Sequence, residues 1–99
     1  MPFKLSYPPQ VKANLRQLYR DAAKAGYGEV FLQVLAEVDK RLQGEASSLG
    51  EPIYTLSHSK IEIRHAIVGF LVVYWGVHSD TQSAILKDVR VLPGSNFSP

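Results

Sequence analysis

The sequence predicts an α+β domain in which a pair of helices lies on one face of a small antiparallel sheet. Three observations carry this. Two consecutive stretches show helical apolar spacing, a Gly, Ser and Glu-rich segment interrupts the chain after them, and the remaining third of the chain consists of β-branched runs separated by turn residues. Strands segregated after helices indicate α+β rather than an alternating α/β order.

The first element is short. Lys4-Leu5-Ser6-Tyr7 reads as an edge strand closed by Pro8-Pro9, which cannot continue a ladder but can open a helix at its first turn. Val11, Leu15, Leu18 and Ala22 then recur at i, i+4, i+7 and i+11, one face of a helix over about residues 9–25. After Gly26-Tyr27-Gly28, a second stripe of Phe31, Val34, Leu35, Val38 and Leu42 predicts a helix over about 28–43, with Gly44 as its stop. So short a link makes the two helices antiparallel neighbours. Gly44 to Lys60 reads as a loop containing Pro52, with Ile53 to Leu56 extended. Strands come next at about 61–68, 70–77 and 84–92, the last two separated by a turn at His78-Ser79-Asp80-Thr81. Pro93-Gly94-Ser95-Asn96 ends regular structure, leaving the tail Phe97-Ser98-Pro99. The expected order is β-α-α-β-β-β in a single domain over 1–99.

Composition narrows the function classes. Ninety-nine residues, 45% of them hydrophobic, are enough for one core. The absence of cysteine excludes a disulfide framework and a thiolate metal site. The longest apolar run, Ala66 to Val77 broken by Gly69 and Gly76, is too short to span a bilayer, and the N-terminus has no apolar run behind a basic segment. The expectation is a cytoplasmic protein without a membrane partner. A net charge of +2 permits nucleic-acid binding without demanding it.

Charged and titratable residues supply the candidate sites. Lys12, Arg16, Arg20 and Lys24 form a basic row along the first helix, either a phosphate-tracking surface or an ordinary solvated flank. Lys87 on the last strand joins this nucleic-acid-binding set. By period two His65 falls with Ile61, Ile63 and Ile67, whereas Glu62 and Arg64 fall on the other side. If the isoleucines face the helices, His65 is a core or core-edge histidine rather than a catalytic base, and Arg64 points onto the open sheet face. There it is either a site cation or the partner of an acid such as Glu62 or Asp88. Asp88 and Arg90 share one face of their strand. Phe70, Tyr74 and Trp75 read as packing. His58, His65 and His78 are not at metal-ligand spacing, and glycine-rich phosphate loops and GxSxG elbows are missing, so neither a metal nor a cofactor is expected.

The helix–helix–strand order followed by GFLVVYWGVHSDTQSAILKDVRVLP resembles the RelE/ParE superfamily of toxins from bacterial toxin–antitoxin modules, from about Lys4 to Pro93. The resemblance implies helices packed on one face of a twisted sheet. It also implies either metal-free cleavage of ribosome-bound messenger RNA or inhibition of DNA gyrase, and neutralisation by an antitoxin protein. On this likeness Arg64 and Arg90 fall at basic positions of the ribonuclease branch, with His65 as the acid or base. Leu71 stands where the family's central strand usually carries arginine, Glu62 stands where a second cation is often found, and Phe97 cannot transfer a proton. Metal-free cleavage needs a base, a proton donor and charge on the phosphorane. The implied function is therefore binding to a translation or replication target with weak or absent endoribonuclease activity. The alternatives are a non-catalytic interaction module, a homodimer or partner binder favoured by the apolar strands of Ile61 to Val77, and a basic nucleic-acid-binding domain.

Overall fold

A computed structural model describes residues 2–94, so the tail Phe97-Ser98-Pro99 lies outside the described residues. The chain runs β1 (Lys4–Ser6), α1 (Pro9–Lys24), α2 (Gly28–Glu45), β2 (Glu51–Leu56), β3 (Ile61–Val68), β4 (Leu71–His78), a 3-10 turn at Ser79–Thr81, and β5 (Ser83–Val91). The five strands form one sheet in the order β1-β5-β4-β3-β2, with β1 parallel to β5 and every other pair antiparallel. The class is α+β, with one strand more than the sequence predicts. Glu51–Leu56 pairs with β3 as a full edge strand although Pro52 removes a donor, because a register shift between Pro52 and Tyr54 lets the ladder pass the proline.

Pro9 occupies the first turn of α1, as its fixed φ favours. The helix closes where the Tyr27 N–H donates to the Ala22 carbonyl (2.7 Å) and the Gly26 N–H to that of Ala23 (3.1 Å), a Schellman pattern completed by Gly26 at φ +85°. The second helix does not stop at Gly44 but continues to Glu45. Its stripe explains the extension, because Ala46 and Leu49 prolong the buried row of Val38 and Leu42 and hold the chain against the core beyond the glycine.

The core lies between the helices and the inner face of the sheet. Phe31, Val38, Leu42 and Ala46 pack over Leu71, Val73, Trp75 and Val77 of β4 and Ala84, Leu86 and Val89 of β5. Each fully buried large side chain contributes roughly 1.5–3 kcal/mol. Trp75 is fully enclosed, and its indole N–H donates to the Ala46 carbonyl at 2.9 Å, satisfying a carbonyl left over at the end of α2.

Tyr7 ties the β1–α1 corner to α2, its hydroxyl donating to Asp39 Oδ1 at 2.6 Å. Burial, then the hydrogen bond to the carboxylate and its charge, push this phenol above its ordinary value of 10.0. The folded state thus holds the proton more tightly than the unfolded chain. The stability this provides is complete below pH about 10 and is lost as pH rises beyond it. Urea midpoints taken at pH 8 and near pH 11 are expected to fall further for the wild type than for Tyr7→Phe. Equal falls would show that the phenol proton is not linked to folding.

Candidate functional site on the open sheet face

Which residues lie outside is decided by β4. Leu71, Val73, Trp75 and Val77 face the helices, so Val72, Tyr74, Gly76 and His78 face away. Antiparallel partners project to the same side. Arg64 lies opposite Trp75 and Glu62 opposite Val77, whereas Ile63 lies opposite Gly76, His65 opposite Tyr74 and Ile67 opposite Val72. The isoleucine row of β3 therefore occupies the open face, and Arg64 lies on the helix side, the reverse of the orientation expected from hydrophobicity. The Leu71–Val77 row fixes the core, and the tight Gly69-Phe70 turn that pairs Val68 with Leu71 locks the β3 register to it.

Arg64 is only 7% exposed and is occupied by structure. Its Nε–H donates to the Leu49 carbonyl (3.0 Å), one terminal nitrogen to the Gly50 carbonyl (3.2 Å) and the other to Glu62 Oε1 (2.6 Å). The guanidinium clamps the loop between α2 and β2, and its lateral acid is Glu62. It is thus separated by the sheet from Arg90, and the two do not share a site.

The open face brings together a different set. The His65 ring stacks on Tyr74 with centroids 5.8 Å apart and planes at 20°, and Arg90 Cζ sits 5.7 Å from the same ring centroid. Histidine, tyrosine and arginine thus form a row across β3, β4 and β5. Arg90 Nε–H donates to Asp88 Oδ2 at 2.6 Å, and that hydrogen bond, then the carboxylate's charge, raises the guanidinium above its ordinary value, so it stays charged. Asp88 also accepts from the Val89 N–H through Oδ1 at 2.9 Å.

Lys87 reaches this face through an irregularity. Tyr74 pairs with Asp88 but Trp75 with Leu86, so Lys87 is the extra residue of a β-bulge, and its Cε lies above Gly76. With Ile53, Tyr54, Leu56, Ile63 and Tyr74 it lines a groove of about 430 Å³. A second hollow of about 560 Å³ separates the β5 edge from α1, where Asn14 Nδ2 donates to the Val89 carbonyl at 2.7 Å. Neither hollow includes Lys12, Arg16, Arg20 or Lys24. Those four stand exposed along α1, with Arg20 bonded to Gln17. Lys87 lines the hollow beside α1 together with Asn14 and Asp21, and Arg16 and Arg20 line a separate groove between α1 and α2.

No family model, curated protein or solved structure matches the chain.

Among the described residues no group of three or more His, Asp or Glu side chains is placed to hold a metal ion, and no helix is long and apolar enough to cross a membrane. His78 is engaged locally, with Nδ1 accepting from the Thr81 N–H at 3.4 Å. The residue that hydrophobic patterning missed is Tyr74. Counting period two backward from Trp75 places it outside, and that was the available signal. Lys87 is among the candidates named from sequence, but its face had no signal there, since the bulge alters its face without altering the sequence pattern.

Proposed function

We propose that the chain is a RelE/ParE-like toxin-fold protein that acts by binding a translation or replication target through the open face of its sheet, with metal-free RNA cleavage weak or absent. The observation that supports this most is the His65–Tyr74–Arg90 row beside Lys87 on a face the helices leave uncovered. Rings and cations on an open sheet face suit bases and phosphates without demanding one sequence. The same geometry supports binding over cleavage. Arg90 is neutralised by Asp88 and Arg64 is enclosed, which among the described residues leaves Lys87 as the cation of the face without an acid partner. His65 and Tyr74 stack on one another, and among the described residues no second free charge on this face stands ready for a phosphorane.

Induction in a bacterial host is expected to arrest growth while ribosome-bound messenger RNA stays largely intact. Reversing the two cations in Lys87→Glu/Arg90→Glu is expected to weaken target engagement by roughly tenfold or more and to restore growth. Normal growth with folded protein shown to be monomeric in the cell would remove the toxin reading. Efficient cleavage that disappears in His65→Ala would replace binding by catalysis.

A further inference from the structure

From the chemistry of the open face we infer that a second copy of this chain covers it, the two sheets stacking face to face about a two-fold axis parallel to the strands. The face is too apolar to be explained by its cations alone. Ile67 is 60% exposed, Tyr54 56% and Leu56 40%, and Ile53 is exposed as well, while Ile61 and the buried Ile63 fill the space beside the bare backbone of Gly76 beneath them. Together they make one contiguous aliphatic and aromatic surface of the kind that marks an interaction site.

The distribution of charge identifies the occupant. Glu51 lies opposite His65, and Tyr74 opposite Asp88, so Glu51, His65, Tyr74 and the Lys87-Asp88 bulge stand at one level across the four strands β2, β3, β4 and β5. The acid is at one margin and the lysine at the other, three strand spacings or about 14 Å away. Among the described residues neither Glu51 nor Lys87 has an ion-pair partner, while Asp88 is matched by Arg90. A two-fold axis running between β3 and β4 carries β2 of one copy over β5 of the other at the same level. Each Glu51 then meets Lys87 of the partner copy, twice per dimer, with the aliphatic surfaces stacked between them. The face is complementary to itself in charge and in hydrophobicity.

Such a dimer encloses the His65–Tyr74–Arg90 row. On the reading of that row as a target surface, on which this consequence rests, self-association and target binding exclude one another, and the dimer is the masked form.

Sedimentation velocity over a concentration series tests the interface directly. Wild type is expected to be dimeric, and Ile67→Glu, at an already exposed position, to dissociate it while urea unfolding stays near wild type; Tyr54→Ser provides a second such variant. Glu51→Lys and Lys87→Glu are each expected to raise the dimer dissociation constant roughly tenfold at low salt, and the double reversal to bring it back to within about threefold of wild type. A wild-type monomer at high concentration, or a dimer indifferent to Ile67→Glu and to the charge exchange, would overturn the proposal. Masking has its own readout: folded monomeric Ile67→Glu is expected to arrest growth at lower induction than wild type, and equal potency would overturn it. A dimer that behaves as described but never affects growth would sink the target reading alone.

Discussion

Replacing Arg64 by alanine is expected to lower folding stability by about 3–5 kcal/mol, seen as a fall in the urea midpoint with little change in slope. The guanidinium is buried beneath the α2–β2 loop and fills three acceptors there: the carbonyls of Leu49 and Gly50 and the carboxylate of Glu62. Removing it strands two carbonyls and leaves Glu62 without its counter-charge. Arg64→Lys is expected to recover less than half of the loss, since a compact ammonium cannot reach three separate acceptors with the planar fork geometry of arginine. Glu62→Gln should cost far less, because that carboxylate is more than a third exposed and water replaces its partner. Loss of function in Arg64→Ala would therefore result from loss of the fold. An Arg64→Ala protein that kept wild-type stability but lost activity would show that this arginine serves a site and not the loop.

That single side chain shows where the sequence was legible and where it was not. Helix positions were readable because an apolar stripe at spacing 3.6 has one consistent burial answer, and Val11, Leu15 and Ala22 of α1 are indeed buried. A strand offers two answers. Ile61, Ile63 and Ile67 looked like the core row of β3, yet a fixed hairpin register set Ile63 opposite Gly76 and Ile67 opposite Val72 and gave the inner side to Arg64. Hydrophobicity marks a face that will be covered without saying by what. On β3 the helices cover the row containing one arginine, and of the isoleucines on the other side Ile63 is buried and Ile67 exposed. The orientation of Asp88 and Arg90 onto the open face was readable by alternation, whereas Lys87 required a bulge that no local residue type announces. Gly50 is a third instance. The Gly- and Ser-rich segment signalled a loop, but the reason for glycine at this one position depends on a strand fifteen residues later.

Gly50→Ala is expected to be as damaging as the loss of the arginine, about 3 kcal/mol or more, by two mechanisms acting at once. The residue sits at φ +65°, where a side chain costs roughly 1–2 kcal/mol even in open space. Space is not available, since a methyl here would overlap the backbone carbonyl oxygen of His65 and lie 2.7 Å from Ala66 Cβ. Backbone cannot swing aside as a flexible side chain can, so β2 or β3 must move. Either shift draws the Gly50 carbonyl away from Arg64, and displaces the neighbouring Glu51 from its place opposite His65. The two substitutions therefore disrupt one clamp, and Gly50→Ala/Arg64→Ala is expected to be less destabilised than the sum of the single variants. Gly44 provides the contrast within the same measurement. It lies inside α2 with nothing within 4 Å of where its Cβ would stand, so Gly44→Ala is expected to stabilise by about 0.5–1 kcal/mol. If both alanine variants shifted the urea midpoint equally, glycine at position 50 would reflect chain entropy alone, and the close approach of the loop to β3 would carry no share of the stability.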